Sequence, residues 1–172
     1  MIMITLRCTQ KLRKYLGIVP VDIPELSTAV LGDWYVNLVP TFSGDLIIFL
    51  SEKTLLTVAV PVWESNNLVP IFRMRVVNLL GMIGVHPKDI ANEIIHFDQV
   101  QYSKTASRSV LGSLNDFAWH YQVLGEEARS KSVLNLSKAE LKLSQMPCKP
   151  LDYRYPSEVA KELLSTMRKN TS

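Results

Sequence analysis

The stretch DLIIFLSEKTLLTVAV, residues 45–60, predicts the centre of a β-sheet. Two runs rich in large apolar and β-branched residues, 45–50 and 55–60, flank the short polar segment SEKT, a pattern typical of a β-hairpin. Pro61 has no backbone N–H to contribute to a sheet and therefore marks the end of the second run. The sequence accordingly predicts an antiparallel strand pair at this point of the chain.

Further strands and several helices are predicted around this hairpin. Strands are predicted over 2–8, over 30–39, where Trp34 and Tyr35 face opposite ways, and over 98–104. The spacing of apolar residues and the terminal signals predict helices over 9–17, 67–83, 87–97, 108–124, 132–145 and 157–169. This order predicts an α+β fold. We expect an antiparallel or mixed sheet that is formed by the N-terminal third and the strand near residue 100. The C-terminal helices are expected to cover it.

The composition is that of an ordinary globular domain. With 172 residues, of which 47% are hydrophobic and 20% charged, the chain can bury one core, so we expect a single domain over residues 1–172. These proportions exclude a disordered chain and a disulfide-dense scaffold. The apolar runs are far shorter than the roughly 18 residues of a membrane span, and the N-terminal segment lacks the order of a secretory signal. We therefore expect a cytoplasmic location and no membrane partner.

Charge and metal-binding residues constrain the partners only weakly. The net charge of +3 permits an anionic partner without requiring one. Cys8, Cys148 and the three histidines do not have the spacing of a metal site. The sequence also lacks a phosphate-binding glycine loop and a nucleophile elbow. We therefore predict no metal and no cofactor.

The segment RSVLGSLNDFAWH, residues 108–120, is the most informative about function. Projected on a helix, the segment and the residue after it place apolar side chains on one face, namely Val110, Leu111, Leu114, Phe117, Ala118 and Tyr121. A second, polar stripe follows at intervals of four residues and consists of Arg108, Gly112, Asp116 and His120, with Asn115 beside it. Ser107 is predicted to cap the helix, and Lys104 lies just before it.

This polar stripe has two interpretations. Gly112 in a helix interior costs about 1 kcal/mol relative to alanine, so we expect either a neighbouring backbone or a ligand to pack there. In the functional interpretation, Lys104 and Arg108 hold an anion at the positive end of the helix, and Asp116, Asn115 or His120 orient it. In the structural interpretation, Ser107 is only a cap and the charged residues form a solvated face.

A weaker candidate site lies where the first strand meets the first helix. Arg7, Cys8 and Thr9 are adjacent there, with Lys11 following. A thiolate close to Arg7 and Lys11 would have a lowered pKa and would be reactive. The alternative is a buried structural cysteine.

Five segments together resemble a known family. In chain order they are LRCTQKL, LGDWYVNL, LLTVAVP, KTASRSVLGSLNDF and PCKPLDYR, and they resemble an uncharacterised bacterial family, a domain of unknown function of about this length. The resemblance spans almost the whole chain, and LGDWY and RSVLGSLNDF are its most specific motifs. It implies an intracellular protein of bacterial or phage/plasmid type and no particular activity.

Two function hypotheses follow. The first is a noncatalytic binding or interaction module with an anion-friendly helix N-terminus, acting as a homodimer or with a protein partner. The second is a small enzyme that acts on a phosphorylated or nucleic-acid substrate, with Lys104 and Arg108 as anchors and Asp116 or His120 as acid or base. Most candidate residues come from one helix, whereas an active site normally draws on several elements, so the sequence favours binding.

Overall fold

The computed structural model describes residues 2–129 and 134–171, without the side chain of Arg129. Its strands are β1 (Ile4–Cys8), β2 (Trp34–Val39), β3 (Leu46–Ser51), β4 (Thr57–Pro61) and β5 (Val100–Lys104). Its helices are α1 (Gln10–Leu16), α2 (Leu68–Met82), α3 (Pro87–Ile94), α4 (Arg108–Arg129), α5 (Leu136–Ser144) and α6 (Pro156–Thr171). Short 3-10 segments cover Val62–Asn67, Ile95–Asp98 and Lys149–Leu151. None of the described helices is long and apolar enough to cross a membrane.

The five strands form one mixed sheet in the order β4-β3-β2-β1-β5. The hairpin predicted from residues 45–60 is confirmed, because β3 and β4 pair antiparallel with Leu50 opposite Thr57. β1 runs parallel to both of its neighbours, β2 and β5. The α+β prediction is thus confirmed, with the mixed form of the sheet. A parallel pair needs a crossover connection, which α1 and the following loop provide between β1 and β2.

Apolar layers cover both faces of the sheet. On one face, Trp34 and Phe49 pack with Phe72 of α2, and α6 contributes to the same core. On the other face, Tyr35 packs with α4 and α5. The core face predicted for α4 is confirmed, since three of its residues are buried and the other three pack against them: Leu114, Phe117 and Tyr121, then Val110, Leu111 and Ala118.

Some element boundaries differ from the predictions. β2 begins at Trp34 and not at residue 30, because Gly32 adopts a positive φ of 79° and the N–H groups of Val30 and Leu31 bind the carboxylate of Glu93 instead of a strand. The predicted helix over 132–145 lies partly outside the described residues. Its described part begins after Asn135, whose side chain accepts a hydrogen bond from the Lys138 backbone N–H.

A buried ion pair between Arg75 and Glu140 lies against β4, the edge strand of the sheet. Glu140 of α5 accepts a hydrogen bond from the backbone N–H of Ala59 in β4, at 2.9 Å. The same carboxylate accepts from Nε and Nη2 of Arg75 in α2, at 2.9 and 2.5 Å. One side chain thus ties both helices to a strand edge that would otherwise expose unpaired backbone groups.

Candidate functional site

A cleft of about 550 Å³ lies between the loop of residues 24–27, the β3–β4 turn and the start of α4. Its lining residues include Arg7, Asp33, Glu52, Lys53 and Ser107. We call it the Arg7 cleft. It joins a residue of the weaker predicted site to the predicted cap of the polar helix.

The parallel pairing of β1 and β2 positions the charged pair in this cleft. Arg7 lies opposite Tyr35 in the sheet, and Asp33 immediately precedes β2. Arg7 Nε donates to Asp33 Oδ2 at 2.6 Å, and Arg7 Nη1 donates to the carbonyl of Lys104 at 3.1 Å. The two charged side chains are only 19% and 11% exposed. Two bonds therefore hold the guanidinium in a defined position beside the cavity.

The start of α4 is attached to the same wall of the cleft. The backbone N–H of Ser107 donates to the buried Tyr35 hydroxyl at 3.0 Å. Ser107 Oγ accepts from the backbone N–H of Val110 at 3.2 Å, so the predicted cap is confirmed. These contacts hold the helix N-terminus, which is its positive dipole end, at the wall of the cleft.

Glu52 adds a carboxyl group whose pKa is raised. Burial is the largest cause and the nearby Asp33 carboxylate the second, while Arg7 and Lys53 act in the opposite direction. Gly32 makes room for this side chain, since a Cβ at that position would lie 2.9 Å from Glu52 Cγ. The positive φ of Gly32 also disfavours other residues there. Glu52 is therefore a carboxyl group that can hold or transfer a proton within the cleft.

The cleft offers both positive and negative groups. Lys53 and the α4 N-terminus suit an anionic group, whereas Asp33 and Glu52 suit hydrogen-bond donors. This combination fits a small polar ligand that carries both kinds of group. The sequence, in contrast, predicts a site that binds only an anionic group.

The polar stripe of α4 is divided between different surroundings. Asp116 and His120 line a second cavity of about 420 Å³, together with Ser113, Trp119 and Cys148. Burial and the Asp116 carboxylate raise the pKa of the Cys148 thiol, which disfavours a reactive thiolate. The structure therefore does not bring Asp116 and His120 to the Arg7 cleft.

The other candidate residues in and just before α4 lie on open surface. Lys104, Arg108 and Asn115 are exposed. Of the two alternatives expected at Gly112, a neighbouring backbone or a ligand, the first is wrong, because a Cβ there would meet no described atom within 4 Å outside its own helix backbone and chain neighbours. The glycine that does have a close neighbour in α4 is Gly125, where a Cβ would lie 3.1 Å from Cβ of Thr41.

The reactive-thiolate hypothesis for Cys8 is wrong. Its side chain points into the apolar core with 1% exposure, on the face opposite to Arg7. Burial raises the pKa of Cys8 to about 12. Thr9 is also structural, because its hydroxyl caps α1 by accepting from the Leu12 backbone N–H and donates to Asn37 at 2.7 Å.

The residues of the Arg7 cleft that sequence reasoning missed include Asp33, Tyr35, Glu52 and Lys53. Asp33 falls within the predicted strand over 30–39, and Glu52 and Lys53 fall within the polar segment SEKT of the predicted hairpin. An acidic residue beside a strongly apolar strand was the available signal for Asp33. For the turn residues no local signal exists, because they reach the cleft only through the folding of the hairpin.

No described group of three or more histidine, cysteine, aspartate or glutamate side chains could hold a metal ion. Among the comparisons with known proteins, the model of a family described as Domain of unknown function (DUF6933) matches residues 5–159. The chain therefore belongs to this family, as its sequence resemblance indicates. No curated protein and no solved structure matches the chain.

Proposed function

We propose that this member of the DUF6933 family is a binding protein whose small polar ligand occupies the Arg7 cleft. The observation that carries the proposal is the arrangement of Arg7. Its guanidinium is held by Asp33 and by the Lys104 carbonyl beside an open cavity, and α4 begins on the wall of that cavity. Prepositioned polar groups that converge on a cavity are typical of ligand sites, because little ordering remains to be done on binding.

The ligand class follows from the groups in the cleft. A carboxylate or phosphate of the ligand would lie near Lys53 and the start of α4. A donor group of the same ligand, such as an amine or hydroxyl, would face Asp33 or Glu52. The exposed side chains of Lys104 and Arg108 would attract the anionic part before it enters. A cytoplasmic location, and a second copy or protein partner on the polar stripe, remain predictions from the sequence.

A thermal-shift experiment tests the proposal. The probes are inorganic phosphate, nucleotides, short RNA and free amino acids, applied to the wild type, to Lys53→Met and to the matched surface variant Lys161→Met. A probe at 100 times its dissociation constant adds about 2.7 kcal/mol of stability, which corresponds to a melting shift of about 5–10 °C for a chain of this size. We expect the shift in the wild type and in Lys161→Met, and a clear reduction in Lys53→Met.

Two results would contradict the proposal. The first is that none of the probes shifts the melting temperature. The second is a shift of equal size in Lys53→Met, which would place the ligand elsewhere. Arg108→Ala is a further comparison. If the ligand-induced melting shift is lost in this variant and in no other, the ligand binds at the exposed stripe and not in the cleft.

The second candidate function is a small enzyme acting on a phosphorylated or nucleic-acid substrate. The observation that favours it is Glu52, whose raised pKa beside Asp33 and Arg7 suits a general acid. A turnover assay on whichever probe binds distinguishes the two functions. If the protein is an enzyme, Glu52→Gln abolishes turnover while the probe still shifts the melting temperature; if it is a binding protein, the wild type shows no turnover.

A further inference from the structure

A separate cavity of about 430 Å³ lies between α3 and the C-terminal half of α6. Its lining residues are different from those of the Arg7 cleft. Apolar side chains, including Ile2, Val30, Leu164 and Met167, line much of it. Its volume is within the range of small-molecule sites. We call it the Asp89 cavity, after the acidic residue in its wall.

Asp89 carries an unsatisfied oxygen in this cavity. Its side chain is only 3% exposed. Oδ2 lies 3.5 Å from Nη1 of Arg168, whereas Oδ1 has no hydrogen-bond partner among the described residues. A buried acceptor without a donor is costly, and the cost is largest when the acceptor is charged. Asp89 Oδ1 is therefore a buried acceptor for which the described residues provide no donor.

Two of the other polar side chains of the cavity are already bonded to other partners. The Glu93 oxygens accept the backbone N–H groups of Val30 and Leu31, at 2.9 and 3.0 Å. His96 Nδ1 is bonded to Thr28 Oγ1 at 2.6 Å, and burial lowers the pKa of His96. The donor that best satisfies a carboxylate oxygen is a cationic N–H group.

We propose that the Asp89 cavity binds a small primary amine, whose ammonium group donates to Asp89 Oδ1 and whose hydrocarbon chain contacts Leu164 and Met167. The carboxylate selects the charged end and the apolar wall selects the chain. A polar ligand such as phosphate has neither feature. This site is independent of the function proposed for the Arg7 cleft.

A titration with n-butylammonium, followed by calorimetry and by backbone amide NMR, tests the proposal. The matched probe is n-butanol, which has the same chain and no charge. Asp89→Asn removes the charge at nearly constant volume, and Asp98→Asn is the control, because Asp98 is a surface carboxylate paired with Arg73 at 2.7 Å. Met167→Trp leaves Asp89 in place and fills the cavity from an exposed helix position, so it tests the site if Asp89→Asn fails to fold.

We expect n-butylammonium to bind the wild type in the millimolar range and to shift amide signals of α3 and α6. We expect the affinity for n-butylammonium to fall by about tenfold or more in Asp89→Asn and in Met167→Trp, and to be unchanged in Asp98→Asn. Binding of n-butanol should be weaker by a similar factor. The proposal is refuted if the wild type does not respond, which would mean that water alone satisfies Asp89, or if Asp89→Asn or Met167→Trp binds the amine as the wild type does.

Discussion

Replacing Arg75 by methionine should destabilise the protein strongly. Arg75 provides two of the three hydrogen bonds to Glu140, whose side chain is fully buried. In Arg75→Met, the carboxylate stays buried, and the Ala59 N–H is its one remaining donor among the described residues. Removing one partner of a buried pair costs about 3–5 kcal/mol, because it leaves an uncompensated charge. For a chain of this size, that corresponds to a fall in melting temperature of about 6–20 °C.

The loss of unfolding free energy in Arg75→Met should depend on pH. Burial already raises the pKa of Glu140, and the Arg75 guanidinium lowers it. Without Arg75 the carboxyl group takes up a proton more readily, and the protonated form is neutral. We therefore expect Arg75→Met to lose less stability at pH 5 than at pH 8.

Chemical unfolding followed by circular dichroism measures these losses. The matched control is Arg73→Met, two residues away on the same helix, which breaks the exposed pair with Asp98 and should cost less than about 1 kcal/mol. Combining Arg75→Met with Glu140→Gln should recover most of the loss, because the amide is neutral and still accepts from Ala59. The reasoning is refuted if Arg75→Met costs no more than Arg73→Met, or if the double variant recovers nothing.

Three further predictions concern single positions. Gly112→Ala should stabilise the protein by about 1 kcal/mol in chemical unfolding, since the new Cβ has no close neighbour within 4 Å in the described part of the chain; a loss of stability would contradict this. In a Cys148→Ser background, Cys8 should react with a thiol reagent only as the protein unfolds, because it is 1% exposed and its pKa is about 12; rapid labelling of the folded protein is the opposing result. Burial raises the pKa of Glu93 above its usual 4.5, so the folded state binds this proton more readily than the unfolded state. The difference in unfolding free energy between the wild type and Glu93→Gln should therefore fall as the pH rises from about 4.5 through the folded-state pKa. A difference that stays constant or rises over this range would refute the prediction.

Much of the fold could be predicted from local pattern. The hairpin of residues 45–60, the core face of α4 and the Ser107 cap all depend on spacings of a few residues. Hydrophobic period, turn residues and capping groups are local properties, and each is legible along the chain. The same is true of the alternation that separates Trp34 from Tyr35 on the two faces of β2.

The candidate site could be predicted only in part. The sequence singled out Arg7 and Ser107 but assigned them to different sites, and it grouped Ser107 with Asp116 and His120, which lie in another cavity. Helical spacing correctly places residues on one stripe. It does not say which part of a long helix faces which neighbour, because that depends on how the helix lies across the sheet.

The sequence by itself determined the α+β class, the position of the hairpin and the amphipathic character of α4. The tertiary structure alone decided the parallel placement of β1 between β2 and β5, and with it the meeting of Arg7 with Asp33 and the Lys104 carbonyl. These groups are far apart in the chain, so their contact depends on sheet order and not on local preference. For the same reason, the unsatisfied oxygen of Asp89 becomes visible only when α3 and α6 are packed together.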